Sequence, residues 1–282
     1  MKIDLHIHTR VSDGSDTPVE LISRVKEKGI NLFAVTDHDA VKGCDIVRDA
    51  LAEGDPKFVD GVEFSTRDKQ GKYHILGYHY DPQSKAILDL VEKGHSLRMK
   101  KVTGRLEFIK TEFGFVFPEE EIQNLLKLDN PGKPHIGNLM VKYGYAESKE
   151  VAIREYIDKL HYKEEYVQPE EAIKGILEAD GIPVLAHPFF GSGDELIIGD
   201  EMVGRLNRLM EYGLRGVEAF YSGFSQKLTN EMLGLAEKNN LYVTAGSDYH
   251  GTNKMVILGD TGLAEGMDFP AGMKRFLSDI GI

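Results

Sequence analysis

Seven short apolar runs, separated for the most part by helix-like segments, restrict this 282-residue chain more than any other feature. They are "KIDLHIH" (2–8), "NLFAVTD" (31–37), "KFVDGVEFS" (57–65), "YHILGYHY" (73–80), "GIPVLAHP" (181–188), "GVEAFYS" (216–222) and "LYVTAGSD" (241–248). Each has the length and composition of a buried strand. Strand alternating with helix implies a mostly parallel sheet, here of seven strands. The first helix is well marked: Thr17 and Glu20 read as a capping box, Pro18 takes the first helical position and Gly29 closes it. Further helices are expected over 42–53, 169–180, 201–212 and 224–239. One connection breaks the rhythm. Between Tyr80 and Gly181 about a hundred residues carry no strand pattern, far more than a βα crossover needs. Periodic segments at 92–113, 118–128, 134–143 and 148–160 predict a small helical insertion there.

The bulk composition, 41% hydrophobic, suits one large α/β domain or one domain carrying an insertion. No apolar run approaches the ~18 residues of a membrane span, and the first residues lack the basic start and apolar core of a signal peptide. Cys44 is the only cysteine, so no intrachain disulfide forms and a reducing, cytoplasmic location is expected. The net charge of −12 disfavours bulk attraction to nucleic acid. An anionic substrate would need local cations.

The polar residues fall where the strands end. The first run carries His6 and His8, followed by Asp13; the second ends in Asp37, His38 and Asp39. The third ends in Glu63, the fourth contains His74, the fifth ends in His187, and the seventh leads to Asp248 and His250. Residues i and i+2 of a strand share a face, so His6 with His8, and Asp248 with His250, can share a focus. Ligands of parallel barrels bind at the carboxyl ends of the strands. Taken singly, "TDHD" could be a helix N-cap and "AHP" a plain turn. It is the collective pattern that points to metal, because buried clustered titratable groups are costly unless used. Imidazole and carboxylate suit Zn²⁺, Mn²⁺ or Fe²⁺. Nine candidate ligands exceed the needs of one ion and fit two or three, with a carboxylate such as Glu63 bridging. Such a site suits phosphoester hydrolysis by metal-activated hydroxide, with no Ser, Cys or Asp nucleophile.

The motifs "DLHIHTRVSDGS", "TDHDAVKG", "GVEFS", "YHILGYHYD", "PVLAHP" and "AGSDYHG", in this order, resemble the PHP (polymerase and histidinol phosphatase) family. The resemblance implies a distorted (β/α)₇ barrel, residues 1–81 and 171–282, with a helical insertion, 82–170, acting as a substrate lid. It implies up to three metals. One would take His6, His8, Glu63 and Asp248; a second would share Glu63 and take His74 and His187; a third would take Asp13, His38 and His250. Mn²⁺ is the first expectation, with Zn²⁺ or Fe²⁺ as alternatives. Within the family the chain looks like the stand-alone branch that includes phosphatases of AMP and of nucleoside 3′,5′-bisphosphates and 5′-to-3′ exoribonucleases. "GKPHIGNLMVKYGY" (132–145) and "KEEYVQPEEAI" (163–173) are similar to elements of that branch, with Lys133 where arginine is more usual.

The run "KGHSLRMKKVTGR" (93–105) has five cations and no acid. Arg98, Lys101 and Arg105 share one helical face and can grip a second phosphate or a nucleotide backbone; a solvated helix face is the ordinary alternative. His135 can cap its helix or contact substrate, and the resemblance favours contact. Tyr221 can line the pocket or pack. Asp37 and Asp39 flank a ligand and can orient imidazoles. Gly246 and Gly251 are expected in tight turns. His79, His95 and His161 receive no role. His187, Asp13 and His38 are the expected catalytic groups, with His187 or a nearby imidazole protonating the leaving oxygen. The expected substrate is a small nucleotide or short oligonucleotide, with no membrane and no obligate protein partner. Two competing readings are a histidinol-phosphate phosphatase and a non-catalytic metal-binding module.

Overall fold

The Thr17 capping box forms as the sequence predicts. In the computed structural model, which describes residues 1–160, 164–191 and 196–282, Thr17 Oγ1 accepts from the Glu20 N–H at 3.2 Å and the Glu20 carboxylate accepts from the Thr17 N–H at 2.8 Å. Together they start α1 (Pro18–Glu27), which buries Leu21, Ile22 and Val25. The strands are β1 (Ile3–Asp4), β2 (Leu32–Val35), β3 (Lys57–Arg67), β4 (Lys72–Tyr78), β5 (Ile182–Leu185), β6 (Gly216–Tyr221) and β7 (Tyr242–Gly246), and they lie side by side in chain order. The Leu5 N–H donates to Ala245 O at 2.8 Å and the Asp248 N–H to His6 O at 2.8 Å. These bonds join the first strand to the last and nearly close a barrel.

The sheet is less uniformly parallel than the strand–helix rhythm implies. β4 runs antiparallel to both β3 and β5. The cause is the short link between Arg67 and Lys72, since parallel neighbours need a crossover of about a dozen residues or more. Here the Asp68 N–H donates to Gly71 O at 3.0 Å, and the Asp68 carboxylate accepts from Gln70 N–H at 2.8 Å. The reversal places His74 opposite Ser65. His74 therefore reaches the barrel mouth from the amino half of its strand, where the other strands use their carboxyl halves.

The outer helices α2 (Lys42–Ala50), α7 (Pro169–Glu178), α8 (Gly199–Glu211) and α9 (Gln226–Lys238) lie where the periodicity predicts. α10 (Ala271–Asp279), which the sequence did not signal, buries Met273, Phe276 and Leu277 against the barrel. Between β4 and β5 stand α3 (Lys85–Phe113), α4 (Glu119–Leu126), α5 (Lys133–Lys142) and α6 (Lys149–Glu155). These four share an apolar cluster of their own, with Val102, Ile109, Ile136, Met140 and Ala152 at its centre. Polar contacts tie them to the barrel: Arg98 to Asp39 at 2.8 Å, Lys42 to Asp129 at 2.8 Å, and Lys149 Nζ to Asn253 O at 3.1 Å. Among the described residues, no helix is long and apolar enough to cross a membrane.

Candidate metal centre

β1 ends at Asp4, and the extended chain beyond it carries His6 and His8 to the barrel mouth. Between them Ile7 pairs with Tyr249 and packs outward against Leu21 and Val35. Alternation thus turns both imidazoles inward, with ring centroids 5.2 Å apart. Glu63, in the middle of β3, is the hub. Its Oε2 lies 3.4 Å from His6 Nε2, 3.1 Å from His8 Nε2 and 3.1 Å from His38 Nδ1. Its Oε1 lies 2.8 Å from His74 Nδ1 and 3.2 Å from His187 Nε2. Asp248 Oδ1 faces His6, His8 and His250 at 3.5, 3.4 and 3.5 Å. Asp13 Oδ1 lies 3.3 Å from His250 Nε2, and its Oδ2 lies 4.0 Å from His38 Nε2.

All nine candidate ligands therefore gather at one focus. Three groups bring donor atoms within 4.8 Å of one another: His8, Asp13, His38 and His250; His6, His8 and Asp248; and His38, Glu63 and His74. The partition differs from the one the resemblance implies, because His8 and His38 each belong to two groups. His187 stands outside the three groups, 3.2 Å from both Glu63 and His74.

The donor atoms themselves test whether metal fits. His6 Nε2, His8 Nε2 and Glu63 Oε2 are buried and make no hydrogen bond to any described residue. Three converging polar atoms without partners would be costly in a core left as it stands. A divalent cation satisfies all three at once, and the imidazole–carboxylate set suits Mn²⁺, Zn²⁺ or Fe²⁺. Burial pushes the Glu63 carboxyl up, but the charges of His38, His74 and His6 hold it well below the usual carboxylate range. Asp13 and Asp248 are lowered against burial in the same way, by His250 and His38 and by His6 and His250 respectively. All three are thus ionised at neutral pH, the form metal binding requires. Burial lowers His38 and His74, whereas at His8 the carboxylates of Asp248 and Glu63 overcome burial and raise the pKa to about 9.

An outer layer fixes these groups. Glu218, wholly buried on β6, accepts from His6 Nδ1 at 3.0 Å and from the His187 N–H at 2.7 Å. Sequence reasoning missed it. The signal was an acid inside the apolar run "GVEAFYS", which must be paired if the strand is buried. Asp37 accepts from Thr9 and Ser12, and Ser12 Oγ lies 3.4 Å from His8 Nδ1, so Asp37 acts on the imidazole through the loop. Asp39 holds Arg98 and the Ser65 N–H rather than an imidazole. Asp248 Oδ2 accepts from Tyr221 OH at 2.9 Å and contacts Lys254, leaving Oδ1 for the imidazoles. Asp248, His187 and Asp39 all have positive φ, at 60°, 27° and 50°, a costly backbone state that clusters at functional sites. Gly246 does not make a turn. A Cβ there would lie 2.2 Å from His6 Cβ and 2.3 Å from Glu218 Oε1, so the residue permits close approach. Gly251 does turn, with φ 66°, and its missing Cβ leaves room for Ser15.

Two cavities share Asp13, His38, His74 and Pro134 as walls. The smaller, about 270 Å³, is lined by Lys72, Arg98, Lys101, Arg105, Lys133 and Tyr166. Arg98 is paired with Asp39, Arg105 with Glu164 at 2.8 Å, and Lys133 with Asp158. Among the described residues Lys101 forms no salt bridge; its Nζ lies 3.8 Å over the Tyr166 ring and the residue is only 8% exposed. Burial, with Arg98 beside it, pushes the Lys101 ammonium down to about 7. Lys72 and Tyr166 were not foreseen: the hairpin and the return of the chain beside β3 at Val167 bring them in. The wider cavity, about 710 Å³, is lined by Phe190, Leu196, Tyr221, Asn253 and Lys254. His135 lines neither cavity. Its Nδ1 accepts from the Gly132 N–H at 3.0 Å and caps α5. His161, and Lys163 at the head of the 163–173 segment, lie outside the described residues.

Comparison with known proteins agrees with this geometry. The PHP domain model matches residues 4–168. The 3′,5′-nucleoside bisphosphate phosphatase of Chromobacterium violaceum is 29% identical over 261 residues, 88% of this chain and 87% of that protein. A 5′-3′ exoribonuclease of Haemophilus influenzae is 26% identical, covering 88% and 90%. A phosphoribosyl 1,2-cyclic phosphate 1,2-diphosphodiesterase of Eggerthella lenta is 27% identical, covering 88% and 94%. A solved structure from Bifidobacterium adolescentis, assigned to the metal-dependent phosphoesterases, superposes with a TM-score of 0.83 at 25% identity over 99% of this chain and 96% of that one. With a family model matched over more than half its length, and with a seven-stranded barrel whose mouth gathers imidazoles and carboxylates, the chain belongs to the PHP domain family.

Proposed function

We propose that this chain, a metal-dependent phosphoesterase, hydrolyses nucleotide phosphates: AMP, a nucleoside 3′,5′-bisphosphate or short 5′-phosphorylated RNA. The observation that carries the reading is the cationic cavity opening onto Asp13, His38 and His74 in a chain of net charge −12. Such a local reversal of field draws an anion to one place. A second phosphate beside Lys101 and Lys72 would add counter-charge next to Lys101, whose nearby carboxylates Asp39 and Glu164 are already paired with Arg98 and Arg105. The relatives named for bisphosphate and RNA substrates support the same class.

In this reading His6, His8, Glu63 and Asp248 would hold one ion, Glu63 and His74 with His187 beside them a second, and Asp13, His38 and His250 a third, with His8 and His38 each near enough to a neighbouring group to serve it instead. The ions would neutralise the phosphate oxygens and lower the pKa of a coordinated water. The protein's own part is orientation. Glu218 sets the His6 ring, Tyr221 and Lys254 turn Asp248, and Arg98, held by Asp39, presents its remaining N–H groups to the cationic cavity. We assign His187 to the ligand set rather than to protonation of the leaving oxygen, because its Nε2 points at Glu63 and His74. The helices of 82–170 would act as the lid, with α3 supplying the cations.

The test uses purified protein with Mn²⁺ and a panel of AMP, a 3′,5′-bisphosphate, short 5′-phosphorylated RNA and histidinol phosphate. Phosphate or nucleotide release from the nucleotides, abolished in His8→Ala and Asp13→Ala, is expected. No release from any nucleotide with metal demonstrably bound would refute the reading, and preference for histidinol phosphate would replace it.

A further inference from the structure

The two cavities at the metal centre differ in chemistry. The smaller presents five cations, and among the described residues its carbon-rich walls are Pro134 and the Tyr166 ring. The wider is walled by Phe190, Leu196 and Tyr221, with Asn253 and Lys254 at one side. Its aromatic wall is built rather than incidental. Phe190, Tyr221 and Phe224 pack with ring centroids 5.1 to 6.1 Å apart and mutual tilts near 60°. Tyr221 cannot swing, because its hydroxyl is held on Asp248. Gly223 keeps the rings together: a Cβ there would lie 2.9 Å from Tyr221 Cε1 and 3.1 Å from Phe190 Cε2. Phe190 is half-buried and Leu196 is 58% exposed, so apolar surface remains open toward the cleft.

A phosphate ester seated at the shared walls thus meets charge on one side and a fixed aromatic face on the other. We propose that the wider cavity is a nucleobase subsite: the base lies against the half-buried Phe190 ring, which the buried Tyr221 supports, while any second phosphate turns into the cationic cavity. The physical reason is that every base has a π-face, and stacking on a fixed ring needs no base-specific hydrogen bond. The predicted preference is therefore for the presence of a base rather than for its identity. This subsite rests on the nucleotide reading above and adds which side of the metal centre the base occupies.

The experiment compares AMP with its base-free counterpart, ribose 5-phosphate. Affinities are measured by calorimetry on EDTA-treated protein, so that no turnover is needed, and KM values are measured in parallel with Mn²⁺. In the wild-type protein AMP should bind about tenfold or more tighter than ribose 5-phosphate, the range that stacking supports. GMP and CMP should fall close to AMP. Phe190→Ala should collapse the AMP-to-ribose-phosphate ratio toward one, and Phe190→Leu, which fills the space without a π-face, should reduce it with the melting temperature kept. Equal wild-type affinity for AMP and ribose 5-phosphate would overturn the subsite, and so would a ratio unchanged in both variants. Failure of every nucleotide to turn over, with the binding ratio intact, would strike the proposed function and spare the subsite.

Discussion

Glu218 offers the sharpest test of how the barrel prepares its metal centre. The buried carboxylate accepts two hydrogen bonds, from His6 Nδ1 at 3.0 Å and from the His187 N–H at 2.7 Å. Glu218→Gln keeps shape and volume but has a single acceptor oxygen. Whichever bond that oxygen keeps, the amide NH₂ meets the other donor head-on. A buried donor left without an acceptor costs about 1–3 kcal/mol. Loss of the carboxylate behind a ligating imidazole typically lowers metal affinity about 10–100-fold, or roughly 1.4–2.8 kcal/mol, so the two routes to the magnitude agree. Metal content after dialysis against graded chelator, read by mass spectrometry, should show the loss. The melting temperature of the metal-free protein should fall as well, because the unmet donor is present without metal. A Glu218→Gln protein that keeps wild-type metal affinity and melting temperature would show that Glu218 neither orients His6 nor anchors His187.

Three further outcomes follow from the same structure. Tyr221→Phe removes one of the two donors on Asp248 Oδ2 and should weaken metal binding by about tenfold, measured by chelator competition; unchanged affinity would leave Lys254 as the sole support. Gly246→Ala puts a methyl group 2.2 Å from His6 Cβ and 2.3 Å from Glu218 Oε1. It should cost about 1–3 kcal/mol of stability from overpacking, together with metal affinity, and a thermal melt identical to wild type would refute the close-packing argument. Lys101, flanked by Arg98, Arg105, Asp39 and Glu164, titrates near 7 when folded against 10.5 when unfolded. The unfolded chain binds the extra proton between these values, so this group's contribution to stability rises with pH across pH 7–10.5 and is lost as pH falls through about 7. Phosphate binding runs the other way, since it needs the ammonium. The inhibition constant for inorganic phosphate should therefore rise above about pH 7, and Lys101→Arg should flatten that rise; an unaltered profile would exclude Lys101 as its source.

Much of the site was legible in sequence because strand geometry is periodic. His6 and His8 must share a face, and strand-end imidazoles of parallel strands must converge. The helix starts were readable for the same local reason: a capping box at Thr17 forms within four residues. What remained hidden depended on partners distant in the chain. Glu218 acquires its meaning only beside His6, 212 residues away. Arg98 faces the cleft because Asp39 receives it 59 residues away, and His135 turned to a backbone N–H three residues off rather than to the cavity.

The sequence by itself determined the seven-strand plan, the helical segment between the fourth and fifth strands, and the nine imidazoles and carboxylates, since each follows from short-range spacing. Only the tertiary structure decided that β4 is reversed, that His8 and His38 each serve two clusters, and that the cleft divides into a cationic side and an aromatic one. These depend on closing the ring from Leu5 to Ala245 and on laying α3 across its mouth. Closure and docking are long-range events, and no local pattern encodes which side chains they bring face to face.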